Sequence, residues 1–488
     1  MKRIVMVFLL AVCAGNTMAS ASDTLVLDLK GAIALAQRHS PSAQRARSTF
    51  LAAYWQYRYF RANYLPSVTL TSSPYLNKEM NKIVQSDGTA RFIRQDQLGA
   101  DLTLKVNQNI GWTGGSLFVK STLHRIDELR NKTTAFSSQP LIIGYEQTLG
   151  GYNALKWDRR IEPLRYSEAK KQYAETLESI ATGTCSRFFA LASAQTSLDM
   201  ARQNFAAADT LFSMAQGRYR IGTITENEML QLEINRLNEE TGVMDAQVEV
   251  KEAQQDLRSF LGLTQDTEIR LLLADSVPAF DVPVQQAVDL ALAHSATPDY
   301  YRRLRQESAA SLAQARANRG FRADLYVQFG LSQTGDNMGS VYRHLLNQEY
   351  ASVSLTIPIL DWGRGKGKVR VAQSQLDLAR TQAEQGMTDF TQGVQKLVLQ
   401  FNMQARKVHV AALTDRRAEQ RHHIARRLYI MGRNSLLDLN AAVNEKNAAK
   451  RQFIYTLQTY WTLYFTLRGM TAYDFERRMP LTEQLPIH

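Results

Sequence analysis

Apolar residues recur at two different periods along this chain, and the two periods divide it into helical and extended stretches. From about 155 to 219 they return every seventh residue, at Leu177, Leu191, Leu198, Phe205, Phe212 and Tyr219, with Thr184 filling the missing step. A second stretch, starting near 365, gives Val369, Leu376, Ala383, Phe390 and Leu397, then shifts register to Phe401 and Val408. A seven-residue period predicts helices that supercoil left-handedly about neighbours. At ~1.5 Å per residue the stretch 157–219 predicts a rod of roughly 95 Å, far longer than a globular helix needs. A glycine, Gly222 or Gly432, ends each rod, and a second helix returns. The pattern thus predicts two antiparallel hairpins per chain with their bends at one end.

Elsewhere the alternation has period two. Val68-Leu70, Leu102-Leu104-Val106, Leu117-Val119, Leu325-Val327-Phe329 and Val353-Leu355-Ile357-Ile359 alternate with mostly polar neighbours and predict strands. Gly111-Trp112-Thr113-Gly114-Gly115 reads as a hairpin turn.

The two kinds of stretch occur twice in the same order. AIALAQRHS at 32–40 answers AVDLALAHS at 287–295, and Ala62-Asn63 answers Ala317-Asn318, at an offset of 255. Further on the offset is 210: Tyr152 with Trp362, Leu198 with Val408, Tyr219 with Tyr429, Gly222 with Gly432. Two constant offsets point to duplication. The first half then holds 45 extra residues (255 − 210) between about 70 and 142, assigned to an extra hairpin. Each half reads as helix, β-region, very long helix, tight turn, helix. The first helix is expected from about Leu29 to Asn63 and its partner near 284–319. The expected boundaries are 1–21 for a signal peptide, 22–280 for the first repeat, 281–472 for the second and 473–488 for a C-terminal tail.

The N-terminus changes the picture most. Lys2 and Arg3, the apolar run Ile4 to Val12 and Ala19-Ser20-Ala21 form a secretion signal with an A-x-A cleavage site. Cleavage after Ala21 removes Cys13 and leaves Cys185 alone, so no intramolecular disulfide is expected. Leu10-Ala11-Val12-Cys13 offers a rival reading, a lipoprotein box with Cys13 lipidated and bulky Val12 where a small residue belongs. No later apolar run reaches the 18 residues of a membrane helix, which says nothing against a barrel, whose alternation hydropathy averages away. The net charge of +12 comes without a tight Lys/Arg run, zinc cluster or aromatic RNA-binding motif, so no nucleic acid is expected.

Several features imitate chemistry. Gly363-Arg364-Gly365-Lys366-Gly367-Lys368 lies between strand and helix but matches neither phosphate-loop spacing, and Val369 follows where Ser or Thr should. His422-His423 point about 100° apart on a helix, among Arg416, Arg417, Arg421, Arg426 and Arg427. They read as a solvated or subunit-facing basic face, or as a positive band near a tunnel mouth or adaptor contact. Cys185 reads as packed and inert. No catalytic, cofactor or metal residues are expected.

A sheet that spans a membrane has no edges, and the strands of one chain are too few to close. Four core strands per chain, two from each half, predict a barrel shared by several chains. Three chains supply twelve strands and twelve long helical segments.

With these features in order, the chain resembles the TolC family of outer-membrane efflux proteins over roughly 27–472. The resemblance rests on the doubled AIALAQRHS/AVDLALAHS opening and on Asn63-Tyr64-Leu65-Pro66-Ser67 before the first strand. It rests also on the junctions EQTLGGYN (146–153) and TIPILDWGRGK (356–366), and on the bends YRIGTITENEML (219–230) and YIMGRNSLLDLN (429–440). It implies a mainly α fold with membrane β: an internally duplicated chain, a trimeric shared β-barrel and a long antiparallel coiled-coil tunnel in the periplasm. It implies a homotrimer in outer-membrane lipid, a periplasmic adaptor (membrane fusion protein) docked on the tip, an inner-membrane pump supplying energy, and no chemistry by the channel itself. The docking bends correspond to Ile221-Gly222-Thr223 and Met431-Gly432-Arg433. The gate corresponds to Tyr429 with Glu228 as its acidic partner, while an Arg of that network corresponds to Asn434 here. An acidic constriction ring corresponds to Asp438, whose three copies would raise one another's pKa, and the second ring position to Ala441. A plainer reading of Glu228 and Asp438 is a pair of solvated acids favoured at helix N-termini. The alternative for the whole chain is a periplasmic coiled-coil scaffold or adaptor without a pore.

Overall fold

The structure is a computed structural model, and it describes residues 24–263, 267–274, 277–278 and 280–483. The expected signal peptide, with Cys13 and its cleavage site, lies outside them. In chain order the elements are β1 (Thr24–Leu27), α1 (Leu29–His39), α2 (Pro41–Ala62), β2 (Ser67–Val84), β3 (Ala90–Ile110), β4 (Gly115–Glu128), β5 (Thr133–Leu149), α3 (Ala154–Arg220) and α4 (Glu226–Leu261). The second half follows with β6 (Glu268–Leu271), α5 (Val284–His294), α6 (Ala296–Arg319), β7 (Arg322–Gly335), β8 (Leu346–Thr356), α7 (Arg364–Ile430) and α8 (Leu436–Thr471). A short hairpin, β9 (Tyr473–Asp474) with β10 (Met479–Pro480), stands where a tail was expected, pinned by buried Leu481.

The chain forms two compact units, each drawing on both repeats. The first comprises residues up to 46, 176–283 and 397–469. Its core gathers Phe188, Leu191, Leu257, Phe401, Leu457 and Tyr460, and the Tyr460 hydroxyl donates to the Pro278 carbonyl at 2.5 Å. The unforeseen strands β1 and β6 pair in parallel here. Cys185 is fully buried, and burial pushes its thiol up to about 12.

The second unit comprises 47–175, 284–396 and 470–488. It holds a six-stranded antiparallel sheet ordered β2-β3-β4-β5-β7-β8. Phe50 and Tyr57 of α2 stack on Tyr166 and Tyr173 of α3, and Leu312 of α6 packs on Ala372 and Leu376 of α7. Arg303 joins the carboxylates of Glu168 (2.6 Å) and Glu307 (2.8 Å).

Three expectations change. The single first helix is two, because Ser40 precedes Pro41, which disfavours helical backbone; Ser40 is extended (φ −62, ψ 147) and its hydroxyl caps Ala43. Its repeat counterpart Ser295 is likewise extended between α5 and α6 (φ −75, ψ 162), with alanine rather than proline after it and no side-chain cap of its own. The strand expected through Ile359 stops at Thr356, since Pro358 has no N–H to offer a ladder. The four core strands expected per chain become six, because the extra first-half hairpin, β3–β4, is hydrogen-bonded into the same sheet.

Candidate functional site: a channel wall and two hairpin bends

The wall follows from register. Val68 and Leu70 of β2 face Val106 and Leu104 of β3, Val106 faces Val119 of β4, and Val119 faces Ile143 of β5. Ile143 then faces Phe329 of β7, and Leu325 faces Val353 of β8. Successive side chains of a strand point to opposite faces, so these residues share one face. Val68, Leu70, Leu104, Ile143, Phe329 and Val353 are exposed, Leu70 at 67% and Val353 at 66%, while Val106, Val119 and Leu325 are half-buried. From Leu98 to Val106 the band runs about 26 Å along the strand at ~3.3 Å per residue, roughly 20 Å of height at a tilt of about 40°, comparable with the lipid-facing band of membrane barrels. Toward its upper end the same face turns charged over three successive rows: Lys78 stands opposite Asp96, Asp127 opposite Leu98 and Arg125 opposite Ala100. Below it stand Trp112 (83% exposed) and Trp362 (90%), as an interfacial aromatic belt requires. The opposite face is polar: Asp101 meets His124, Thr103 meets Thr122 at 3.2 Å, and Lys105 and Lys120 flank buried Phe118. Among the described residues no helix is long and apolar enough to cross a membrane.

The two bends are built alike. Gly222 (φ +76) donates to the Tyr219 carbonyl at 2.9 Å, and Thr223 donates to Arg218 at 2.9 Å. Gly432 (φ +71) donates to Tyr429 at 3.0 Å, and Arg433 to Leu428 at 2.9 Å. Both are Schellman stops, whose left-handed residue favours glycine. The returning helix starts in each case with a capping box. Thr225 accepts from the Glu228 amide (3.2 Å) while the Glu228 carboxylate accepts from the Thr225 amide (3.0 Å). Ser435 accepts from the Asp438 amide (3.1 Å) and donates its hydroxyl to the Asp438 carboxylate (2.6 Å). Both acids are exposed and hold their own helix starts, as the plainer reading of them required.

Tyr429 and Glu228 line one cavity of 280 Å³ with Arg218, Leu232, Gly432 and Asn434. Burial raises the Tyr429 phenol, Arg218 opposes the rise and Glu228 adds to it. Among the described residues no hydrogen bond joins Tyr429 to Glu228. Arg218 donates to the Ile430 carbonyl at 3.4 Å and ties the first bend to the second. Ile221, Met431 and Leu437 stand 74%, 61% and 79% exposed; sequence reasoning missed Leu437.

The features that imitate chemistry resolve structurally. Asp361 fills the amides of the glycine-rich junction, accepting from Gly363 (2.9 Å) and Gly365 (2.7 Å), which lower its pKa. A phosphate would have to displace it. His422 and His423 do share a cluster, because Glu419 one turn earlier comes within 4.8 Å of both and pairs with His423 at 3.1 Å. Burial and Lys446 hold the His422 imidazole below its usual range. Lys446 and Arg426 also oppose a divalent cation there, so the cluster reads as an ion-paired helix face.

The profile of the outer membrane efflux protein family matches residues 120–263 and 302–471, more than half of the chain. The chain belongs to this family. The matched stretches of this efflux protein leave out β2, β3 and the start of β4. No curated protein matches it. Among solved structures it is similar to the CmeC outer membrane channel of Campylobacter jejuni, at 13% identity and TM-score 0.64, covering 91% of this chain and 85% of that one. It is similar to the outer membrane protein VceC of Vibrio cholerae, at 15% identity and TM-score 0.64, covering 91% and 95%. The open-state MtrE outer membrane channel of Neisseria gonorrhoeae gives 13%, 0.57, 91% and 88%. At these identities the likeness is one of fold, and the TolC-like fold is the one expected from the repeats.

Proposed function

We propose that the chain is one subunit of a homotrimeric passive exit duct. A shared β-barrel stands in outer-membrane lipid, and a helical tunnel extends into the periplasm. A periplasmic adaptor (membrane fusion protein) docks on Ile221-Gly222-Thr223 and Met431-Gly432-Arg433, and an inner-membrane pump supplies the energy. The duct itself performs no chemistry. The observation that carries this reading is the six-stranded sheet, with its exposed apolar band on one face and polar residues on the other. A scaffold without a pore has no use for such a band.

The helices support the oligomer. Leu230, Leu237 and Met244 of α4 are exposed at seven-residue spacing, as are Met403 and Val410 of α7. A seven-residue stripe left open is buried by a neighbouring helix. Native mass of the detergent-extracted protein is expected to equal three protomers in the membrane fraction; a soluble monomer would remove the duct.

At the bends, Tyr429 with Glu228 holds the tip closed and Asp438 forms the constriction. Glu228→Gln preserves the capping box, so it separates gating from helix stability. Tyr429→Phe combined with Glu228→Gln is expected to raise leak conductance in planar bilayers several-fold. Unchanged conductance would sink the gate assignment.

A further inference from the structure

The pair β3–β4 has no counterpart in the second half. The offset of 255 carries the start of β2, Ser67, onto the start of β7, Arg322, and the shorter offset carries the helix-joining strand β5 onto β8. The extra pair does not stand apart from the sheet. β3 pairs with β2 from Ser67↔Asn107 to Val84↔Ala90 and with β4 from Gln97↔Glu128 to Ile110↔Gly115. It also carries the apolar band, through Leu98, Leu102, Leu104 and Val106 on β3 and through Leu117, Val119 and Leu123 on β4, which turns charged at Arg125 and Asp127. A hairpin projecting into water has no need of such a face.

The sheet ends in two open edges, β2 and β8. Open edges of this length are templates for another strand. Directions alternate through six strands, so β8 of one copy meets β2 of another antiparallel, and an even number lets the ring close without a parallel joint. The apolar face also continues across that joint, from Val353 and Leu355 on β8 to Val68 and Leu70 on β2, all more than half exposed.

We propose that the occupant of each edge is a second copy of this chain and that three copies close a barrel of eighteen strands, six from each. This rests on the trimeric reading above. With strands ~4.8 Å apart and tilted about 40°, eighteen strands give a ring roughly 36 Å across between backbones, against roughly 24 Å for twelve. The wall is then wide enough for an aqueous channel, and size selection falls to the helical bends.

The test is electron cryomicroscopy of the wild-type protein extracted in detergent, with its native mass measured on the same sample. A three-copy mass with eighteen strands in cross-section is the expected result. A three-copy mass with twelve strands overturns this inference and leaves the exit duct standing; any other copy number overturns the trimer itself. The joint is checked by cysteine at Thr69 paired in turn with cysteine at Ser352, Ser354 or Thr356, with Cys13 and Cys185 replaced by Ser. Oxidation is expected to give cross-linked ladders that stop at three chains. Monomer throughout, in a sample of three-copy mass, would place the closing joint elsewhere and overturn the proposal.

Discussion

The two repeats agree in their helices and disagree in their strands. α3 and α7 are each 67 residues long, α4 and α8 each 36, α1 and α5 each 11. The first repeat nevertheless has four long strands where the second has two. Paired rods tolerate little change of length, because both bends must reach the same level for Arg218 to meet Ile430. A sheet tolerates growth, provided it grows by a hairpin. Two added strands return the chain to the side it left, so β5 still delivers α3 where β8 delivers α7. One added strand would send the helix out of the wrong side.

The largest effect that could break this comparison comes from phase. One residue inserted between Leu102 and Thr103 would bring Lys105 and Asn107 onto the lipid face and move Leu104 and Val106 to the polar one. Oligomer recovered from the outer-membrane fraction is expected to fall at least tenfold. Inserting two residues restores the alternation and is expected to recover most of it. Equal losses from both insertions would show that insertion itself, not facing, causes the damage.

Much of this was legible in the chain because both periods are long and clean. Val68-Leu70, Leu102-Leu104-Val106 and Leu325-Val327-Phe329 alternate strictly, and register later laid them on one face. The rods and their glycine stops were legible for the same reason. The in-line position of β3–β4 was not, since alternation says that a segment is a strand and never which strand lies beside it. The bends were half legible. Glu228 and Asp438 stand three residues after Thr225 and Ser435, a capping-box spacing that the family resemblance overshadowed. Glu419 escaped notice because a histidine pair draws attention to its own spacing and not to a carboxylate one turn earlier.

Between the strand-to-helix junctions a smaller asymmetry can be tested. Gly150 (φ +74) and Gly363 (φ +83) occupy them in the two repeats. A methyl group on Gly150 would lie 2.5 Å from the Phe321 carbonyl oxygen, whereas one on Gly363 meets nothing within 4 Å. Gly363→Ala is expected to cost only the left-handed penalty, about 1 kcal/mol. Gly150→Ala adds overlap with backbone, which cannot swing aside, and is expected to cost about 4 kcal/mol. The temperature at which the oligomer dissociates on a denaturing gel reads the difference. Equal shifts would mean that the first junction has slack.

The smallest contrast lies one helix inward. Glu175 of α3 is replaced at the equivalent position of α7 by Gln385, which is exposed. The Glu175 carboxyl accepts from the Ala296 amide at 2.6 Å, capping α6 where the Ser295 side chain does not. Burial raises its pKa to about 7, against the opposing Ala296 amide and Lys171 and with help from Glu168. A carboxyl whose folded pKa exceeds its unfolded value of 4.5 holds its proton more tightly when folded. Its ionisation therefore withdraws stability as pH rises from about 4.5 to about 7, by an upper bound of about 3 kcal/mol. Glu175→Gln keeps an acceptor for Ala296 and never ionises. The variant is expected to melt with the wild type at pH 4.5 and above it by several degrees at pH 8, read by loss of helical circular dichroism. A wild type as stable as the variant at pH 8 would show that the carboxylate is solvated there and that α6 is capped without strain.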